Sequence, residues 1–168
     1  MALIDPALVG LRSEPVTVEV EKGAIRRFAE ALGETNPVYF DEAAARAAGY
    51  RSLLAPPTFP VTLGRVPVPG LVLPPAGLIH GEQAFEYGEP IVAGDVITLT
   101  SMLEDVKTRS GRQGTMTILT LRTEGVNQSG ALAFVSRATI IVTEQAARVA
   151  GAASGGAGAS DGGEGGSV

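Results

Sequence analysis

The chain has 168 residues, 45% of them apolar, and a formal net charge of −5. That length suits one domain with a sizeable core, and the acidic balance argues against nucleic acid, whose phosphates need clustered Lys and Arg to displace their counterions. With no cysteine and one histidine, a disulfide scaffold, a thiolate metal site and a Cys nucleophile are excluded, so neither a metal nor a redox cofactor is expected.

The first eleven residues read as an N-terminal arm, without a basic region followed by a long apolar run. No later window reaches the roughly 18 apolar residues that span a bilayer, so a soluble, cytoplasmic protein without a membrane span is expected. The folded domain is expected over 12–144. Residues 16–20 alternate Val with Thr and Glu, the two-residue period of a half-buried strand. A helix follows, because Ile25, Phe28, Ala29 and Leu32 fall at i, i+3, i+4 and i+7, with Gly33 placed as a left-handed cap. Asp41 then reads as the N-cap of a short alanine-rich helix over 42–48 that ends at Gly49.

The proline-rich stretch 53–73 holds a helix-compatible run over 58–65, in which Pro57 and Pro60 can occupy the first turn without losing a hydrogen bond. From Leu78 onward the pattern turns to β. Segments 79–87, 96–108, 115–125 and 131–142 are rich in β-branched residues and are separated by Gly94-Asp95, Ser110-Gly111 and Ser129-Gly130. A strand, then helices, then a run of antiparallel strands describes an α+β fold with helices on one face of the sheet. From 145 to 168 the composition collapses to Gly, Ala and Ser, which cannot bury enough apolar surface to offset chain entropy, and a disordered tail is expected.

The segment Gly33-Glu34-Thr35-Asn36-Pro37-Val38-Tyr39-Phe40-Asp41, continuing to Gly49-Tyr50, resembles the (R)-hydratase signature G-D-x-N-P-x-H of the MaoC-like family of enoyl-thioester hydratases and 3-hydroxyacyl-thioester dehydratases. The resemblance implies a single hot-dog fold, an antiparallel sheet wrapped around a central helix, and covers about 12–144. In the family the Asp and His of the signature hold and activate the water that adds to the enoyl double bond. Here those positions carry Glu34 and Tyr39. Tyr has an unperturbed pKa of about 10 and makes a poor base at neutral pH. The family segment I-A-H-G, whose Gly N–H polarises the thioester carbonyl, is matched by Leu54-Ala55-Pro56-Pro57. That places Pro57, which has no N–H, at the donor position.

No catalytic residue is therefore expected in this chain. His80-Gly81-Glu82-Gln83-Ala84-Phe85-Glu86-Tyr87 and Pro90-Ile91-Val92-Ala93-Gly94-Asp95 resemble the non-catalytic subunit of two-component dehydratases. The resemblance implies a hot-dog partner with intact Asp and His, and a thioester carried on coenzyme A or acyl carrier protein. Tyr39, Pro57, Phe59 and Gln83 are the candidate substrate-binding residues, Phe59 being either core or an apolar wall for an acyl chain. Glu34 and Tyr39 stand as a relic, a rewired catalytic pair or ordinary loop residues. Alternatives to the subunit are a self-sufficient homodimeric hydratase or thioesterase using that pair, and an acyl-thioester binding module without chemistry. Strand alternation puts His80 with Glu82 and Glu86, opposite Phe85 and Tyr87, facing solvent or a partner rather than acting as a base. Asp41 reads as a cap rather than an acid. Arg109 and Arg112 flank a solvated hairpin turn or meet a coenzyme A phosphate.

Overall fold

A computed structural model describes residues 4–64, 66–75, 77–111 and 114–146. Strand β1 (Val16–Glu19) leads into helix α1 (Lys22–Ala31) and the short α2 (Glu42–Ala47), and β2 (Leu78–Tyr87), β3 (Val96–Gly111), β4 (Gly114–Val126) and β5 (Leu132–Thr143) follow. They form one five-stranded antiparallel sheet in the order β1-β3-β4-β5-β2. This is the hot-dog architecture that the signature implies.

The strands alternate as a half-buried sheet must. On β3, Ile97, Leu99, Ser101 and Leu103 all turn inward, and each is no more than 1% exposed. On the same face, Ile25 of α1 and Phe59 pack with Ile97, Leu99 and Phe134 into one core cluster. A second cluster, built on Leu103, Leu119, Ile140 and Val142, takes in Ile4 and, at its margin, Leu8. The segment expected as an arm thus packs on the sheet, and Gly10 N–H donates to the Leu103 carbonyl at 2.9 Å. Gly125 lies where a Cβ would meet the ring of Phe134, its cross-strand partner, so only glycine admits that ring.

The helix expected over 58–65 is shorter and tighter. It is a single 3-10 turn, Phe59–Leu63, ended by Gly64 at φ 92°. Pro60 in its first turn has no N–H to give, and a run of this length offers few bonds for extending it. Both α1 and this turn pack against the sheet, through Ile25 and Phe59. The Gly, Ala and Ser tail lies from residue 147 onward outside the described residues, as does Arg112. Among the described residues no helix is long and apolar enough to cross a membrane.

Candidate functional site

Local capping chemistry positions the signature residues. Helix α1 ends in a Schellman motif: Gly33, at φ 71°, donates to the Glu30 carbonyl and Glu34 N–H donates to the Ala29 carbonyl, both at 3.0 Å. The left-handed residue reverses the chain and leaves Glu34 exposed at the start of the signature. Asn36 then caps a 3-10 turn, Pro37–Tyr39, by accepting from Val38 N–H at 3.2 Å. Asp41 accepts from Ala43 N–H at 2.8 Å and so is the N-cap of α2. The strip carrying Leu54-Ala55-Pro56-Pro57 is stitched in from both sides, by Leu54 N–H to the Val38 carbonyl at 3.0 Å and Ala55 N–H to the Ile91 carbonyl at 2.9 Å.

This stitching brings Tyr39 and Pro57 into one open cleft of about 300 Å³, which Tyr50, Tyr87 and Ile91 also line. Its walls are mainly apolar and aromatic. Partial burial pushes the Tyr39 phenol above its ordinary pKa, and the negative charge of Glu34 and the neighbouring Tyr50 push it further the same way. Each cause disfavours the phenolate. Tyr39 is consequently a hydrogen-bond donor at neutral pH and not a proton acceptor. Pro57 presents no N–H, and the Phe59 N–H beyond it already donates to the Pro56 carbonyl at 2.9 Å.

A second open cleft, of about 350 Å³, lies between the 3-10 turn at Pro60 and Val61 and the sheet residues His80, Gln83, Thr123 and Ser136. Pro60 lines both clefts, and β2 or the residues directly after it contribute to each. Gln83 Nε2 donates to Ser136 Oγ at 2.7 Å and to the Arg137 carbonyl at 3.3 Å.

The four candidate substrate contacts are thus divided. Tyr39 and Pro57 share the first cleft and Gln83 belongs to the second. Phe59 is core: it is 1% exposed, meets Phe28 edge-on at 5.7 Å between ring centroids, and lines neither cleft. Arg109 is exposed and lines neither. His80 is the clear correction. The register of β2 against β5 slips between His80 and Glu82, so His80 pairs with Ile140 while Gln83 pairs with Ala138 and Phe85 with Ser136. Gly81 is the additional residue of a bulge, which reverses the alternation and turns His80 to the face of Gln83 and Phe85, away from that of Glu82 and Glu86. Among the described residues, no group of three or more His, Asp or Glu is placed to hold a metal ion.

The sheet, its helices and the signature turn define a hot-dog protein of the MaoC-like dehydratase class. The family profile described as "FAS1-like, dehydratase domain region" matches residues 7–136, and the chain belongs to that family. A UPF0336 protein of Thermobifida fusca is 36% identical over 134 residues, covering 76% of this chain and 86% of the relative. Among solved structures, the C-terminally truncated HadBC (3R-hydroxyacyl-ACP dehydratase) complex from Mycobacterium tuberculosis superposes with a TM-score of 0.67 at 24% identity, over 80% of this chain and 97% of that one. A MaoC-like dehydratase superposes with a TM-score of 0.70 at 23% identity, over 86% of this chain and 44% of that chain.

Proposed function

We propose that this chain is the non-catalytic subunit of a heteromeric (R)-3-hydroxyacyl-thioester dehydratase, working in fatty acid or related acyl-CoA metabolism. Its partner is a hot-dog subunit bearing the Asp and His that this chain lacks. The thioester is carried on coenzyme A or acyl carrier protein. The observation that carries the reading is the first cleft, where Tyr39 and Pro57 stand together in place of a base and a carbonyl-polarising N–H. A phenol whose pKa is pushed up cannot take the proton that dehydration releases, and a proline cannot stabilise the developing oxyanion. Losing both functions at one site fits a supporting role better than a rewired one.

In this mechanism the partner's Asp and His handle water and protons, and the partner's own helix terminus polarises the carbonyl. This chain supplies sheet and tunnel wall. Its edge strand β2 offers unpaired backbone groups to a second sheet, and residues of β2 line both clefts. That HadBC is a complex is in keeping with such pairing.

The homodimeric alternative has one observation in its favour, the electrostatic influence of Glu34 on Tyr39, but that influence moves the phenol away from basicity. The deciding experiment assays enoyl-thioester hydration with this chain alone, a candidate partner alone, and both together. Activity only in the mixture, or strongly raised by it, is expected. Full turnover by this chain alone would overturn the proposal. Acyl-CoA binding without activity in any mixture would favour a binding module.

A further inference from the structure

A polar row crosses the inner face of the sheet at one level. Ser13 Oγ accepts from Ser101 N–H at 2.9 Å, Ser101 Oγ bonds Thr123 Oγ1 at 2.8 Å, and Thr123 is paired across the strands with Ser136, which Gln83 bonds at 2.7 Å. The surrounding inward residues of β4 and β5, Leu119, Leu121, Phe134, Ala138 and Ile140, are apolar. A satisfied structural network would use up its own donors and acceptors. The Gln83 and Ser136 end does not.

Arg137 and Ser136 both accept from the Gln83 amide nitrogen, which fixes its orientation and leaves Oε1 as an acceptor. Ser136 Oγ receives that bond and keeps its own proton to donate. Neither group has a further partner among the described residues, and His80 stands at the rim of the same cleft without one. One acceptor and one donor on adjacent, bonded side chains thus line the same cleft. A hydroxyl oxygen can donate to one and accept from the other at once, whereas an amide carries its donor and acceptor on separate atoms. Of the remaining walls, Pro60, Val61, Leu121, Phe134 and Ala138 are apolar, and Thr123 adds a hydroxyl.

We infer that the second cleft is a binding site for a hydroxyl group borne on an apolar chain, held between Gln83 Oε1 and the Ser136 hydroxyl. It rests on the proposed function only for the identity of that chain, an acyl group. The sole histidine makes the test direct, because its ring gives a single set of NMR signals at the site. The full chain, alone and mixed with its partner, is titrated with 10-hydroxydecanoate, decanoate and pantetheine.

A saturable shift of the His80 signals with 10-hydroxydecanoate is expected, with decanoate about tenfold weaker, the fold-change of one or two modest hydrogen bonds. Gln83→Leu and Ser136→Ala should each erase that preference, and the two variants guard against one failing to fold. Equal shifts from decanoate, a response to pantetheine alone, or silence from all three probes with and without partner would each overturn the inference. Hydroxyl-selective binding beside an inactive mixture would refute the subunit reading and leave this site standing. An active mixture without that selectivity would do the reverse.

Discussion

Asp95, 2% exposed, is ion-paired with Arg51, two residues beyond the glycine that ends the alanine-rich helix. The same carboxylate accepts from Val92 N–H at 2.8 Å and Gln128 Nε2 at 2.9 Å. One buried group therefore ties the signature loop and the turn before β5 to the start of β3, which explains the Gly94-Asp95 pair as structural. Asp95→Asn should cost about 2 kcal/mol, the worth of a hydrogen bond to a charged group. Arg51→Ala should cost about 1–3 kcal/mol, less than a fully buried pair because the Arg51 side chain is 57% exposed. Urea unfolding of both variants checks this, and unchanged midpoints would refute it.

Tyr39 gives a pH signature. Its folded pKa is raised, so between the ordinary value near 10 and the folded value the native state binds the additional proton. The contribution to stability is complete below that ordinary value and is lost as pH rises through the folded pKa. Tyr39→Phe should lose less stability than wild type on alkaline titration. If the proposed partner supplies the acid and base, Tyr39→Phe and Glu34→Gln should each leave turnover of the reconstituted pair within about twofold. A hundredfold loss for Glu34→Gln would make it catalytic.

Gly125 and Phe134 face each other too closely for any Cβ at residue 125. Gly125→Ala must displace a ring that is 1% exposed, at about 1–3 kcal/mol by the usual cost of overpacking. Thermal unfolding measures it. Gly94→Ala is a poor control because its φ is 87°; Gly111→Ala, with nothing within 4 Å of the added carbon, is a suitable one.

The outer face of the sheet sets Arg122 directly opposite Arg137. Like charges so placed repel, and carboxylates resolve the conflict: Glu104 meets Arg137 Nε at 2.9 Å and Arg122 Nε at 3.8 Å, while Glu124 pairs with Arg122 and Glu86 with Arg137. The hydrogen bond from Arg122 holds Glu124 below the usual carboxylate range. A depressed folded pKa gives stability that is present above the unfolded pKa and lost as pH falls through the folded one. Glu124→Gln should therefore flatten the acid limb of the stability curve, and Glu104→Gln should cost about 1 kcal/mol at neutral pH. Both effects should shrink in high salt. An unchanged acid limb in Glu124→Gln would sink this account.

Much of this protein is written in short-range pattern. The stripe of Ile25, Phe28 and Ala29, the caps at Gly33 and Asp41, and the alternation of the long β segments are local consequences of backbone and side-chain chemistry, and α1, α2 and the strands form where that chemistry puts them, though Leu32, the expected last member of the stripe, is the C-cap of α1 and is exposed. Tyr39 and Pro57 were likewise legible as departures from a signature, because a residue type announces what it cannot do. Tertiary structure alone decided what those residues face. One additional residue at Gly81 turned His80 to the opposite side, burial claimed Phe59 for the core, and Pro60 came to line both clefts. Facing depends on register and packing between segments far apart in sequence, and no local period carries that information.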